Sequence, residues 1–213
     1  MNQKLITLLI AILIIALGGT AIFLVSSKEF KFNTPSSNTQ ENQLNKEDKK
    51  QNETPTNDKK IAVIYFSASG TTKSVASIIS QKTNAELIEI VPKEKYTSAD
   101  LNWNDPNSRT SLECNEASSR PEIASTMNLD DYDVIYLGYP IWWGDVPHII
   151  LTFMDTYKLD GKTVIPFCTS GGTGISQSMN TLKNYNPKVH WTEGKRLSTS
   201  ESEINNWLKS IKY

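Results

Sequence analysis

Cysteine is nearly absent from this chain of 213 residues: Cys114 and Cys168 are the only two. Two thiols cannot build a disulfide scaffold, and no Cys-x-x-Cys or Cys/His spacing offers a zinc site. Histidine is as scarce; His148 and His190 stand alone and read as ordinary packing or surface residues. Neither sign of charge is in excess, with 22 Lys and Arg against 23 Asp and Glu, so nothing points to nucleic acid. No acid–base pair or nucleophile stands out. The sequence therefore assigns no catalytic residue and no metal ligand, and any chemistry would belong to a bound cofactor.

What is present divides into three parts. Leu5 to Val25 is an uncharged apolar run of 21 residues, long enough to cross a bilayer as a helix. Residues 1–27 are read as a transmembrane anchor; the rival is a signal peptide cleaved after Gly19-Thr20-Ala21. Both place the remainder outside the cytoplasm, anchored in one case and secreted in the other. Residues 28–59 are rich in Asn, Gln, Lys, Glu, Ser and Thr, and bury too little apolar surface to offset ordering, so they read as a disordered tether. Residues 60–213 carry a globular pattern.

Within that part, short β-branched runs alternate with helical spacing. Strands are predicted at 60–67, 85–91, 132–139 and 162–169, with a weaker fifth near 189–191. Helices are predicted from about Thr71, and at 146–157, 174–184 and 200–211, the last opened by a Ser cap and first-turn acids. Such alternation implies right-handed crossovers and a mainly parallel sheet with helices on both faces. Ligands of these sheets bind beyond the carboxyl ends of the strands, where strand order reverses.

Three loops fall at that edge. Ser67, Ser69, Gly70, Thr71 and Thr72 follow strand one, at the start of a helix, and offer hydroxyls and free N–H groups to an anion. This loop is neither a Walker A loop nor a dinucleotide turn. Pro140, Ile141, Trp142, Trp143 and Gly144 follow strand three and offer aromatic surface. Thr169, Ser170, Gly171, Gly172, Thr173 and Gly174 follow strand four, where glycines let backbone N–H groups approach a ligand edge. Together they describe a phosphate, a flat body and a polar edge.

With "YFSASGTTKSVA", "YPIWWG" and "LDGKTVIPFCTSGGTGI" in hand, the chain resembles the flavodoxin-like family, in its small flavodoxin branch, from about Ile61 to Leu208. The resemblance implies FMN as cofactor and a five-stranded sheet in the order 2-1-3-4-5. It implies that the first loop holds the phosphate without a positive charge, that Pro140 to Gly144 flank the isoalloxazine, and that Thr169 to Gly174 follow its pyrimidine edge. One indole would meet the ring while the other packs beneath the loop, with Trp143 favoured over Trp142 for the ring and the assignment left open.

The chain departs from the family in residues 96–128, a polar stretch with Trp103, Arg109 and Cys114 that reads either as a lid or as a surface excursion. Cys168 reads as a buried inert thiol, with pairing to Cys114 left open. The function expected is electron transfer or reduction of small acceptors, with a redox protein or small molecule as partner. The alternatives are an FMN enzyme reducing quinones with NAD(P)H, though no nicotinamide motif is visible, and a flavin-free binding module.

Overall fold

Val63 and Tyr65 face one side of the first strand, Ala62 and Ile64 the other, and all four are buried. A strand buried on both faces needs covering layers above and below, and this requirement organises the molecule. The computed structural model describes residues 59–213; the predicted anchor and, but for Lys59, the predicted tether lie outside the described residues. In chain order the elements are β1 (Ile61–Tyr65), α1 (Thr71–Thr83), β2 (Glu86–Glu89), α2 (Arg109–Asn115), β3 (Val134–Pro140), α3 (His148–Thr156) and β4 (Thr163–Thr169). They continue with α4 (Ser176–Tyr185), β5 (His190–Trp191), β6 (Lys195–Arg196) and α5 (Glu201–Ser210).

The sheet runs β2-β1-β3-β4-β5, with β6 also on β4, and every pairing is parallel. This is the predicted order with one strand added. On one face Ala62, Ile64, Ile135 and Leu137 pack with Ile149, Ile150 and Phe153 of α3 and Leu182 of α4. On the other, Val63, Tyr136, Ile165 and Phe167 pack with Val75 and Ile79 of α1 and with Ile204 and Trp207 of α5. The period-two alternation of each strand thus supplies both layers. Ser200 caps α5 by accepting from the Glu203 N–H, with Glu201 and Glu203 in the first turn.

The extra strand has a cause in β4. Even-numbered residues of β4 and the residue just before it turn their backbone groups towards the fifth strand: the carbonyls of Lys162, Val164 and Cys168 accept from His190, Thr192 and Leu197 at 3.0, 3.0 and 2.8 Å. Pro166 occupies the middle of that series and has no N–H, so the ladder breaks opposite it. The chain detours through Glu193 and Gly194, leaving two short pieces, β5 and β6, where one strand was expected. A Cβ on Gly194 would stand 2.7 Å from Ile175 Cδ1 and 3.0 Å from the Pro166 carbonyl oxygen, so the detour runs too close to β4 for a side chain.

The stretch between β2 and β3 leaves and re-enters the fold at one point. Lys93 N–H donates to the Glu122 carbonyl and Ala124 N–H to the Val91 carbonyl, both at 2.8 Å, which ties the base of the excursion. Inside it lies α2, a short helix absent from the sequence reading. It is capped by Ser108, whose hydroxyl accepts from the Ser111 N–H.

Gly138 of β3 lies beside Phe167 of β4, and a Cβ placed there would stand 2.2 Å from the Phe167 ring. Gly138→Ala is therefore expected to lower the unfolding free energy measured by denaturant titration by about 1–3 kcal/mol. Combined with Phe167→Leu it should cost clearly less than the sum of the two single changes. Additive losses in the double variant would show that the ring and the glycine are not coupled.

Candidate functional site

The carboxyl ends of β1, β3 and β4 open into one cavity of about 760 Å³. None of the residues lining it is charged. Ala68, Ser69 and Thr72 come from the first loop, Pro140 to Gly144 from the second, and Ser170 to Thr173 from the third.

The first loop ends at Gly70, whose φ of +91° turns the chain into α1 without a capping side chain. The Gly70 N–H is taken by Ser67 Oγ at 3.1 Å, and the first helical bond runs from Ser74 N–H to the Gly70 carbonyl. The N–H groups of Thr71, Thr72 and Lys73 therefore stand at the free end of a 13-residue helix with no acid in its first turn. That end favours an anion. Lys73 itself pairs with Glu89 at 3.7 Å on the surface. Thr72 is buried, and its hydroxyl shares a hydrogen bond with Thr169 Oγ1 at 2.8 Å, fastening the first loop to the third.

The second loop is a tight hairpin. Trp142 N–H donates to the Asp145 carbonyl at 3.0 Å and Asp145 N–H returns a bond to the Trp142 carbonyl at 2.9 Å. Between them Trp143 and Gly144 have φ of +48° and +81°, the values of a type I′ turn. Glycine accepts this freely. A bulky residue does not, and holding Trp143 there costs on the order of 1–2 kcal/mol. The turn also separates the two indoles. Trp142 is half-buried beneath it, edge-on to Phe66 and Tyr96 with ring centroids 5.4 and 5.1 Å away. Trp143, at the tip, is 46% exposed and lines the cavity.

In the third loop Ser170 ties the backbone to itself, its hydroxyl donating to the Thr173 carbonyl and accepting from the Gly172 N–H. At Gly171, Gly172 and Gly174 an added Cβ would meet nothing within 4 Å, so this backbone lies open.

Of the residues singled out in the sequence, Ser69, Thr72, Pro140, Ile141, Trp142, Trp143, Gly144, Ser170, Gly171, Gly172 and Thr173 line the cavity. Ser67, Gly70, Thr71, Thr169 and Gly174 are not among the residues that line it. Sequence reasoning named Trp103 only within the stretch read as a lid or a surface excursion and missed Ala68, Leu101 and Thr110; Leu101, Trp103 and Thr110 come from the excursion, which reaches the cavity rim. An unpaired Trp in a polar stretch was the available signal, and Trp103 is 74% exposed. The segment is held from below. The Arg109 guanidinium lies 4.0 Å from the Tyr96 ring centroid, and Arg109 Nε and Tyr96 Oη both donate to Glu113, at 2.7 and 2.8 Å.

Both thiols are free. Burial pushes Cys168 up to about 12 despite nearby Arg196, and burial, with Glu113 and Asp145, pushes Cys114 up to about 11. Neither is a thiolate at neutral pH. Burial and Arg120 hold His148 below its ordinary value, so it is neutral there too. Among the described residues no group of three or more His, Cys, Asp or Glu is placed to hold a metal ion.

A flavodoxin family profile matches residues 60–211. The chain belongs to the flavodoxin family. Among solved structures, a candidate flavoprotein of Bacteroides eggerthii is 47% identical, covers 71% of this chain and 97% of its own, and superposes with a TM-score of 0.68. One from Bacteroides uniformis is 42% identical over 71% of this chain and 99% of its own, with a TM-score of 0.70. A Lactobacillus acidophilus flavoprotein, solved in complex with FMN, is 26% identical over 70% of this chain and 99% of its own, with a TM-score of 0.55. No curated protein matches the chain.

Gly144 and Gly171 both line the cavity with free space around them, but only Gly144 has positive φ. Gly144→Ala should therefore lower the stability of the ligand-free flavodoxin by about 1 kcal/mol or more. Gly171→Ala should change it by less than about 0.5 kcal/mol. Equal melting temperatures for the two variants would contradict the turn assigned here.

Proposed function

We propose that the cavity binds FMN and that the chain is a membrane-anchored flavoprotein working in electron transfer or the reduction of small acceptors. One observation carries the reading: an uncharged cavity joins a bare helix N-terminus, an exposed indole and an open glycine backbone. These three features suit the phosphate, the flat ring and the ring's polar edge, and a volume near 760 Å³ is in the range of a cofactor site. The FMN complex of the Lactobacillus acidophilus relative supports the same cofactor.

When bound, FMN supplies one- and two-electron redox chemistry; the protein supplies binding, orientation and electrostatics. Ser69, Thr71 and Thr72, with the N–H groups opening α1, would hold the phosphate. Trp143 would lie against the ring and keep water from it, and Ser170 to Thr173 would present backbone donors to its polar edge. The anchor rests on the sequence of Leu5–Val25; among the described residues no helix is long and apolar enough to cross a membrane.

Replacing Ser69 and Thr71 together by Ala removes two hydroxyl donors to a dianion, each worth roughly 1.5–3 kcal/mol. FMN affinity should fall far more than riboflavin affinity, measured by titration of the flavin's fluorescence. Equal losses for both ligands would move the phosphate elsewhere. For the anchor, the full chain should fractionate with membranes, and its recovery in the cytosolic fraction would overturn that part of the proposal.

A further inference from the structure

The glycine loop runs directly into α4, and α4 is also what the Trp turn is fastened to. Thr181 Oγ1 donates to Asp145 Oδ2 at 2.7 Å, and Gln177 Nε2 reaches the same oxygen at 3.3 Å. Four residues apart, they project from one side of the helix. Between them Ser178, fully buried, meets the Tyr139 hydroxyl at 3.1 Å, where β3 leads into the turn. Asp145 closes the hairpin on Trp142, and its other oxygen accepts from the Val146 N–H at 2.7 Å. An unbroken line of contacts thus runs from the glycine loop through α4 to Asp145 and the strained Trp143.

We propose that α4 is a spacer: through Asp145, Thr181 and Gln177 fix the separation between the Trp turn and the glycine loop, and so the fit of a flat ring between them. Thr181 is a positioning residue in this scheme, since it lines the smaller cavity behind the turn and not the larger one in front. That rear cavity, of about 240 Å³, is also bordered by Trp143 and Asp145, which leaves the turn room to fall back once its tether is cut. A turn with a tryptophan at positive φ needs such a tether, because an unrestrained chain returns to negative φ. The hydroxyl–carboxylate bond is of the charge-assisted kind suited to the task.

The inference rests on the flavin reading of the cavity, and its test separates the two. In the full chain, Thr181→Val removes the hydroxyl at nearly constant volume and Thr181→Ser keeps it. FMN and riboflavin affinities are measured by flavin fluorescence, with the melting temperature of the ligand-free protein alongside. Thr181→Val should weaken both flavins by a common factor of about ten, equivalent to about 1.4 kcal/mol, and Thr181→Ser should stay within about twofold of the parent. If the parent binds both flavins and Thr181→Val keeps both affinities, the spacer is refuted even if the melting temperature falls. Loss of FMN alone, or no recovery in Thr181→Ser, refutes it as well. A parent that binds neither flavin overturns the cofactor reading and the spacer with it.

Discussion

Two backbone hydrogen bonds between Trp142 and Asp145 decide what the cavity is. They close a two-residue hairpin, and its type I′ geometry sets both central residues at positive φ. Glycine at one of them is unsurprising. Tryptophan at the other is a local loss that the surroundings must offset, and they do so from two sides. Below, Trp142 is wedged edge-on between Phe66 and Tyr96, each such pair contributing roughly 0.5–1.5 kcal/mol beyond burial. Behind, the Asp145 carboxylate is gripped by α4. What results is an indole held in water at the rim of a cavity, a place where burial alone would not put one.

The fold was legible because its signals are local and repeated. Each core strand is a short run of Val, Ile, Tyr and Phe, each major helix an apolar stripe, and a parallel sheet follows from their alternation. What escaped depends on contacts between distant residues. The split of the fifth strand follows from Pro166, in a neighbouring strand, facing the position where a donor was needed. Helix α2 escaped because its buried positions are Thr110 and Ser111, polar residues that carry no hydrophobic period.

The site was legible in its three loops for a related reason: a parallel sheet gathers every strand's carboxyl end at one edge, so residues following strands become neighbours whatever lies between them in sequence. The excursion obeys no such rule. Leu101, Trp103 and Thr110 reach the cavity because turns at 97–100 and 102–105 fold their segment back, with the Asp100 carbonyl accepting from both Thr110 N–H and Thr110 Oγ1. Its role as rim rather than mere surface is a product of that internal bonding. The question of lid or excursion resolves into a built wall whose base is tied at residues 91–93 and 122–124.

The uncharged lining has a consequence for electron transfer that no single residue carries. In the proposed reading, an anion held at α1 by hydroxyls and N–H dipoles would keep its full charge, because no Lys or Arg lines the cavity to cancel it. Lys73, nearest in sequence to the helix start, is engaged with Glu89 on the surface. A flavin ring held beside that anion would sit in a negative potential, and the Coulomb term, little screened in a partly buried site, would oppose added electrons. Under the proposed flavin reading, the same arrangement that would select a phosphate would also favour a ring that gives up electrons readily. Trp143 against such a ring would strengthen the effect, since displaced water would no longer screen the charge. On that reading binding and redox bias would be two results of one feature, a cavity lined by neutral donors and by no lysine or arginine.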